Sequence, residues 1–440
     1  MRAAYLNQLI NLVVTILLVP VLLRYLDLTD YLLWAIFTTF GSLTLQFESA
    51  IQNASIREIA AAFFGRDMES LVGAIGKARF AYRLLAGFVM VPLFAVGAVY
   101  LHSLTTLRHE SGVTMEWLLF VIAYAANYNF GINNTVLLGM GRVKYFNNTT
   151  SFTRTLNFVL TLVMLQAGFA IMGLCISFLA SVAVGCTIIA VAAKRLLRDE
   201  GIASRLTLRT AARSGGTDSS NILKYTAYSV ASFTLYRGGL LLATVALPKS
   251  VAAAYGLTLQ AAAILFTLGQ VPLQVWLRKL ASAVAARDHR DILRELYLSL
   301  ITANAIFVAG SMALLLCGNL LLTAIGSRVM LAGGAEQLLI CLAFLIELNI
   351  AILVNFLVTM NDYSFLPVYL TSSGAGIASV VILSFVASDN ITLWVAVPVG
   401  LQLLVCAPRI FKRMCSELSI STAGFIGELG KFLTLQFGRN

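Results

Sequence analysis

Three charged residues interrupt long apolar runs of this sequence. Glu48 follows YLLWAIFTTFGSLTLQF, Arg237 stands in YTAYSVASFTLYRGGLLLATVAL, and Glu347 stands in QLLICLAFLIELNIAILVNFLVTM. A charge at the centre of a bilayer costs at least about 2.5–3.5 kcal/mol on insertion scales. Such residues therefore mark either an ion or substrate path, or a buried pair that joins two helices.

Arg237 lies near the middle of its run, on one helical face with Thr226, Phe233 and Thr244. We interpret it as an anion-binding cation that lines a central cavity; the alternative is an arginine paired with a carboxylate only to hold two helices together. Glu347 is equally open to two interpretations. It is either an ion-coupling carboxylate or the structural partner of Arg237.

Glu48 shares a helical face with Gly41, Thr44, Gln52 and Ser55. A small and polar face predicts that this carboxylate points at protein or water and not at lipid. We interpret Glu48 as a gate or rim residue that pairs with an arginine in one state of the cavity. Arg57 and Arg83 are the arginines near enough in sequence to do so, and ion coupling is the alternative role, shared with Glu347.

Amide side chains form further stripes at helical spacing. The clearest stripe contains Gln260, Thr267, Gln270, Gln274 and Arg278. One polar stripe on an apolar helix predicts a cavity lining, although glutamine and threonine also join helices by hydrogen bonds. For the shorter stripes, Asn7, Asn11 and Thr15 and then Asn127 and Asn134, we favour hydrogen bonds between helices.

The chain that positions these residues is a membrane protein. Of its 440 residues 59% are hydrophobic and 12% are charged, and the mean hydropathy is +0.87; soluble domains carry about 25% charged residues. Twelve apolar stretches are long enough to cross about 30 Å of hydrocarbon. We place them at 4–23, 32–53, 80–101, 116–139, 152–168, 171–193, 225–247, 251–277, 296–317, 336–359, 365–386 and 389–410.

The net charge of +11 is an orientation signal and does not indicate a nucleic-acid partner. Most basic residues fall on the segments that are cytoplasmic if the N-terminus is cytoplasmic. The positive-inside rule therefore predicts that both termini lie in the cytoplasm. The basic excess also attracts anionic membrane lipid.

The spans divide into two halves. Residues 196–222 form a polar, Gly- and Ser-rich stretch that predicts a cytoplasmic linker between six-helix bundles at 1–195 and 223–411, with a tail at 412–440. Arg66-Asp67 and Arg287-Asp288 follow the second and eighth spans in similar positions. The fold class we predict is therefore all-α and polytopic, with about twelve transmembrane helices in two pseudo-symmetric six-helix bundles.

Nothing in the sequence indicates an enzyme. His102, His109 and His289 fall in loops without metal-ligand spacing. The run GAIGKAR at 73–79 lacks the length and the hydroxyl of a phosphate-binding P-loop. We expect no metal, no cofactor and no catalytic residues, so that any energy for transport comes from a gradient.

One stretch resembles a known family. Residues 22–67 resemble the N-terminal signature of Wzx-type O-antigen flippases of the multidrug/oligosaccharidyl-lipid/polysaccharide (MOP) exporter superfamily. The matching features are Arg24-Tyr25-Leu26, Tyr31, Trp34, an acidic residue late in the second span and Gly65-Arg66-Asp67. LLGMGRVKYFN at 137–147 is also similar, whereas the glycines common around the acidic residue are absent from ESAIQ.

This resemblance implies a flippase in the bacterial inner membrane. The implied substrate is an undecaprenyl-diphosphate-linked oligosaccharide, which moves from the cytoplasmic to the periplasmic leaflet by alternating access, and a polysaccharide polymerase and a chain-length regulator are implied partners. A diphosphate needs cations, and Arg237, Arg83 and Arg278 are available. Gln260, Gln270 and Gln274 then suit the sugars.

Two alternatives belong to other functional classes. A cation-coupled small-molecule exporter of the same superfamily usually carries a carboxylate deep in the first span, where this chain has Asn7 and Asn11. A membrane-embedded polysaccharide polymerase or ligase generally has a long outer loop with catalytic Arg or His residues. The longest outer segment here is about 318–335, and Arg328 is its only basic residue.

The flippase hypothesis predicts the phenotype of Arg237→Ala. Removing the cation should abolish surface glycan, because the diphosphate would lose its counter-charge in the membrane. Surface glycan is measured on gels alongside the amount of protein in the membrane. Normal glycan at a normal protein level would exclude Arg237 from substrate binding.

Overall fold

The computed structural model describes residue 14 and residues 17–104, 112–202, 219–286, 288–387 and 390–437. Within these ranges the side chains at 50, 112, 219–222, 274–286, 426 and 431–437 are not described. The described residues form helices joined by short turns and contain no strands. The prediction of an all-α polytopic chain is confirmed.

The helices follow one another along the whole described chain. In chain order they are α1 (17–25), α2 (Leu28–Phe64), α3 (Met68–Ser103, with a π-helical turn at Ala86–Met90), α4 (Gly112–Gly139), α5 (Val143–Gln166), α6 (Ala170–Asp199), α7 (Ser219–Arg237), α8 (Gly239–Ala246), α9 (Lys249–Ala286), α10 (His289–Ala324), α11 (Gly334–Thr359), α12 (Leu366–Val386), α13 (Ile391–Glu417, with a π-helical turn at Gln402–Cys406) and α14 (Thr422–Phe437).

Eight helical segments among the described residues are long and apolar enough to cross a membrane. They are Met68–Ser103, Ala170–Asp199, Leu223–Ala246, Lys249–Leu273, His289–Ala324, Gly334–Thr359, Leu366–Val386 and Ile391–Glu417. Each coincides with one of the apolar stretches that the sequence predicts as a span. The chain is therefore a multi-pass membrane protein.

The chain forms two compact units, Met1–Val230 and Ala231–Asn440. In unit 1, α4 packs against α2 and α6, and α5 packs against α6. In unit 2, α9 packs against α10 and α11, and α12 packs against α13. The predicted linker at 196–222 stays a prediction, because α6 continues to Asp199 and residues 203–218 lie outside the described residues.

The long helices repeat between the two halves of the sequence. Helix α2 has 37 residues and α9 has 38. The next helix after each of them, α3 and α10, has 36 residues. Asp67 caps α3 by accepting a hydrogen bond from the Ser70 amide, and Asp288 caps α10 by accepting from the amide of Asp291. The similarity between Arg66-Asp67 and Arg287-Asp288 thus includes one shared local role, the helix N-cap.

The turns after α4 and α11 have the same backbone. Gly141 (φ +80°) and Asn361 (φ +61°) both adopt the left-handed conformation that glycine and asparagine tolerate best. The amide of the next residue, Arg142 or Asp362, then bonds to a carbonyl five residues earlier, at 2.8 and 2.9 Å. This hydrogen bond ends each helix and sends the chain back toward the bilayer.

The segment before α11 is fastened to its unit. The Leu331 amide donates to the Asn319 side chain at 2.9 Å, and the Ala332 amide donates to the Thr258 hydroxyl at 2.9 Å. Leu331 and Ala332 are buried. These hydrogen bonds hold the segment against α9 and α10.

The turn between α11 and α12 is tied to the end of α13 by an ion pair. Arg413 donates from Nε to Asp362 at 2.9 Å and also contacts Glu417 at 2.6 Å. Burial alone would raise the pKa of the Asp362 carboxyl, but hydrogen bonds from Arg413 and Ser364 outweigh burial and lower its pKa below the ordinary value. The pair fastens this turn to the end of α13.

This ion pair predicts a pH-dependent stability. A carboxyl with a pKa lowered by folding stabilises the fold above its unfolded-state pKa and loses that contribution as the pH falls through its folded-state pKa. Asp362→Asn should therefore lower the melting temperature by a few degrees at pH 7. When the pH falls below about 4, the melting temperature of the variant should fall less than that of the wild type, because the variant has no carboxylate to protonate at this position. Thermal unfolding in detergent measures both values. An equal effect of Asp199→Asn, an exposed control at the end of α6, would contradict the assignment.

Candidate functional site

Unit 1 contains a half-open cavity of about 580 Å³ among α1, α2, α4, α5 and α6. Its lining residues are Val14, Leu18, Leu45, Glu48, Ser49, Gln52, Tyr124, Asn127, Phe130, Asn134, Phe146, Thr150, Thr153, Arg154, Asn157, Phe178, Ser181, Val182, Gly185, Cys186 and Ile189. Amides and hydroxyls dominate the polar part of the lining, and Glu48 and Arg154 are its charged members. A space of this volume can hold a small molecule.

Each helix contributes one face to the cavity. The α5 residues follow a helical repeat of three or four positions, from Thr150 through Arg154 to Asn157, and α6 repeats the pattern from Ser181 to Gly185. The Cβ that an alanine would add at Gly185 would lie 2.7 Å from Cγ2 of Thr153. This glycine therefore lets α5 and α6 approach closely beside the cavity.

Glu48 is the buried carboxylate of the cavity. Its side chain is 7% exposed, and no hydrogen bond or ion pair to it is seen among the described residues. Gly131 on α4 makes room for the carboxylate, since a Cβ there would lie 2.6 Å from Glu48 Oε1. The backbone of α4 therefore forms the wall against which this charge lies.

Three tyrosines surround Glu48. The side chains of Tyr82, Tyr124 and Tyr128 all interact electrostatically with its carboxylate. The Tyr82 hydroxyl lies 3.0 Å from the Thr135 hydroxyl, and its ring packs against Tyr128 at 5.4 Å between centroids. The rings of Tyr82 and Tyr128 thus pack together near Glu48, whereas Tyr124 also lines the cavity.

Arg154 supplies the positive charge of the lining. Its exposed side chain faces the cavity, and no ion pair or hydrogen bond of its guanidinium is seen within the described part of the chain. The side-chain amide oxygens of Asn134 and Asn157 are buried, and neither has a hydrogen-bond partner among the described residues. Buried polar atoms of this kind are rare, because each costs about 1–3 kcal/mol when left unsatisfied.

The two arginines predicted to pair with Glu48 lie elsewhere. Arg57 is exposed, and its Nε donates to the Asn53 carbonyl of its own helix at 3.4 Å. Arg83 is also exposed and lies close to Arg79. Neither lines the cavity, so the state described here keeps Glu48 apart from both. Pairing in another state stays a prediction.

Glu347 lies in a hydroxyl-rich cluster of unit 2. It is 2% exposed; Ser232 donates to its Oε1, and the Tyr369 hydroxyl lies 3.2 and 3.1 Å from its two oxygens. Two residues further along α11, Asn349 exchanges amide hydrogen bonds with Asn304 at 2.8 and 2.9 Å. The hydrogen bonds described for Glu347 thus come from hydroxyl groups of α7 and α12.

Arg237 ends α7 at the Gly238-Gly239 break. It is half-buried, and its guanidinium carbon lies 5.5 Å from the centre of the Phe233 ring, a cation–π distance. Within the described part of unit 2, no carboxylate forms an ion pair with Arg237. Its proposed role as an anion-binding cation stays a prediction.

The predicted glutamine stripe of α9 is only partly described. Gln260 and Gln270 are half-buried, whereas the side chains of Gln274 and Arg278 lie outside the described residues. A second cavity, in unit 2, measures about 30 Å³ and is lined by apolar and aromatic residues such as Tyr236 and Tyr255. It has room for about one water molecule.

Sequence reasoning missed the α5 face of the large cavity. In the sequence, Arg154 is one of the basic residues on the segments predicted to be cytoplasmic, and Asn157 lies within the predicted span 152–168. Their helical spacing could have indicated this face of α5. The residues that share it are Phe146, Thr150, Thr153, Arg154 and Asn157. Asn127 and Asn134, for which hydrogen bonds between helices had been preferred, line the same cavity.

Solved structures identify the architecture. An inward-facing multidrug resistance MATE family transporter of the MOP superfamily aligns with a TM-score of 0.71 at 14% identity, over 94% of each chain. A eukaryotic MATE transporter aligns at 0.63 and 12% identity, over 94% of each chain. The chain has the MATE fold.

The MATE fold also appears in an outward-facing neighbour, with a TM-score of 0.61 at 15% identity over 95% of this chain and 94% of that one. No protein-family model matches the sequence, and neither does any curated protein. The likeness therefore establishes the MATE architecture. Among the described residues, no group of three His, Cys, Asp or Glu side chains could hold a metal ion.

The contact between Gly131 and Glu48 predicts the effect of Gly131→Ala. The added methyl group would meet Glu48 Oε1 at 2.6 Å and Tyr82 Cε1 at 2.7 Å, and overpacking of this kind costs about 1–3 kcal/mol. The melting temperature in detergent should fall. Gly87→Ala is the matched control, because nothing lies within 4 Å of its new Cβ. Equal melting temperatures for the two variants would contradict the close packing.

Proposed function

We propose that this protein is an ion-coupled flippase for a lipid-linked oligosaccharide. It would move an undecaprenyl-diphosphate-linked repeat unit from the cytoplasmic to the periplasmic leaflet by alternating access. The observation that carries this proposal is the polar lining of the cavity in unit 1, which includes Gln52, Asn127, Asn134 and Asn157. The resemblance of residues 22–67 to Wzx-type flippases supports the same substrate class.

The polar groups of the lining could bind a sugar. About half of the lining residues are apolar or aromatic, as in sites for drug-like molecules. Each of α2, α4, α5 and α6 nevertheless adds an amide, hydroxyl or charged side chain, for example Ser49, Asn127, Thr153 and Ser181. Sugars offer many hydroxyl groups, so each of these side chains can find a partner.

Glu48 is the group we propose for ion coupling. An ionised carboxylate in this cavity needs a counter-charge, and a proton or a cation from the gradient can supply it. The substrate's own donors can replace that ion when the cavity fills. Binding of ion and substrate to Glu48 would then be linked, as coupled transport requires. Glu347, which accepts hydrogen bonds from Ser232 and Tyr369, is the corresponding candidate in unit 2.

A second candidate is a cation-coupled small-molecule exporter. The fold neighbours favour it, because they include a multidrug resistance transporter that aligns over nearly the whole chain. The acidic Glu48 would then attract a cationic substrate. The two candidates differ in cargo and not in architecture, so the cargo has to be measured.

The surroundings of the protein follow from the flippase proposal. We place it in the bacterial inner membrane with both termini in the cytoplasm. Its partners would be the lipid-linked oligosaccharide, membrane lipid, a polymerase and a chain-length regulator. Arg237, Arg83 and Arg278 stay candidates for the diphosphate.

Glu48→Gln tests the coupling role. The variant keeps the shape of the side chain but cannot carry a charge, so surface glycan should be lost although the protein still reaches the membrane. Glycan is measured in cells that lack the wild-type gene and express each variant. Glu58→Gln is the matched control, since Glu58 lies on the same helix beside Lys77 and Arg57 and does not line the cavity.

Two outcomes would contradict the proposal. Normal glycan in Glu48→Gln cells would exclude Glu48 as the coupling group. Normal glycan in cells without the gene, together with accumulation of a cationic dye that the wild-type protein exports, would favour the small-molecule exporter.

A further inference from the structure

Arg83 lies on the outer surface of unit 1, although the sequence predicts it as a cation of the cavity. Its side chain is exposed and does not line the cavity. Phe80, Leu84 and Phe88 flank it at helical spacing and are 60%, 50% and 78% exposed. The opposite face of α3, which includes Tyr82, is buried. An exposed apolar face on a membrane-spanning helix contacts lipid, so Arg83 lies among lipid-facing residues.

The position of Arg83 along α3 matches an edge of the hydrocarbon. If the end of α3 at Ser103 marks one edge, Arg83 lies twenty residues away from it. At 1.5 Å per residue this is about 30 Å, the thickness of the hydrocarbon core. Arg79 lies one turn further, about 6 Å, at the level of the lipid headgroups. Arginine side chains at this depth extend toward the headgroups, where the phosphates are.

Arg79 and Arg83 form a pair of like charges. They are four residues apart on one helix, and the charges of their two guanidinium groups interact. Like charges at this spacing repel each other and destabilise the helix. A phosphate can accept hydrogen bonds from both guanidinium groups and remove the repulsion. The pair is therefore suited to a phosphate that it shares.

The counterpart helix of unit 2 has no such pair. Helix α10 has the same length as α3 and, like α3, follows a capping aspartate. Counted from the first residue of each helix, Leu300 and Asn304 stand where α3 has Arg79 and Arg83. Asn304 is half-buried and bonds to Asn349 within its unit. The two arginines are therefore not a requirement of this helix in both units, and their exposure points to a ligand outside the protein.

We propose that Arg79 and Arg83 bind the phosphate of an anionic phospholipid of the surrounding bilayer. Both guanidinium groups contact the phosphate oxygens, and the acyl chains lie along Phe80, Leu84 and Phe88. A headgroup without an amine suits the site best, because two positive charges repel an ammonium group. This inference is independent of the cargo, and it assigns Arg83 to bilayer lipid instead of the substrate diphosphate.

Lipid titration of the purified full-length protein tests the site. Phosphatidylglycerol and phosphatidylcholine with the same acyl chains are added separately in detergent, and native mass spectrometry measures the affinity of bound lipid. Phosphatidylglycerol should bind more tightly to the wild type. Arg79→Gln and Arg83→Gln should each weaken its binding about five-fold, the effect of one basic residue beside an anionic lipid surface. The double variant should bind the two lipids almost equally.

Matched variants separate this site from general effects of charge and folding. Arg294→Gln removes an exposed arginine of α10 that lies thirty residues before Ala324. That is about 45 Å, beyond the headgroups, so its lipid affinity should equal that of the wild type. Arg83→Lys keeps the charge and should keep part of the affinity. Melting temperatures without added lipid report folding, and Arg83→Gln should leave them unchanged because its side chain is exposed.

Three outcomes would overturn the inference. Equal affinity of the wild type for the two lipids would exclude a site that prefers an anionic headgroup. Equal losses in Arg83→Gln and Arg294→Gln would show an effect of net charge alone. Displacement of phosphatidylglycerol by inorganic phosphate, or by undecaprenyl diphosphate at a lower concentration, would assign the arginines to a free anion or to the transported lipid. The glycan and dye measurements decide the proposed function separately.

Discussion

Polar groups that a helix carries into hydrocarbon have to find their partners within the protein, and this constraint governs both units. Hydroxyl side chains meet it locally by donating to the backbone one turn earlier, as Thr39 does to Ala35 and Thr267 to Ala263. Asn304 and Asn349 meet it by pairing with each other. Among the described residues of unit 1, the buried atoms that depart from it are the Asn134 and Asn157 amide oxygens, beside the cavity, and the Tyr128 and Ser177 hydroxyls.

The architecture was predictable because the length of each apolar stretch can be read directly from the sequence. A stretch such as Ala170–Asp199 is apolar enough to be recognised from composition alone, and the charged pairs before Met68 and His289 mark where neighbouring helices meet. The predicted fold class is accordingly confirmed. The ends of the helices were less predictable, since α2 continues to Phe64, beyond its apolar part.

The cavity was only partly predictable. Glu48 stood out because a carboxylate interrupts an apolar run, and Gln52 followed from its helical face. Arg154 did not stand out, because α5 begins with polar residues and its arginine resembles any other basic residue near the cytoplasm. Which helices face one another is a property of packing, and in this fold it depends on contacts such as that of Gly131 with Glu48. One sequence does not specify such contacts.

The turn that ends α4 is one of several of the same kind. A left-handed residue followed by the same hydrogen bond also ends α2, α5, α6, α10, α11 and α13, at Arg66, Gly168, Gly201, Gly326, Asn361 and Ser419. Because this chain reversal depends on the backbone, the side chain that follows it is free to differ, and Arg142 and Asp362 carry opposite charges at that position. After α11 the position holds the tie to Arg413. The charges at the ends of the helices can therefore change while the chain still reverses direction in the same way.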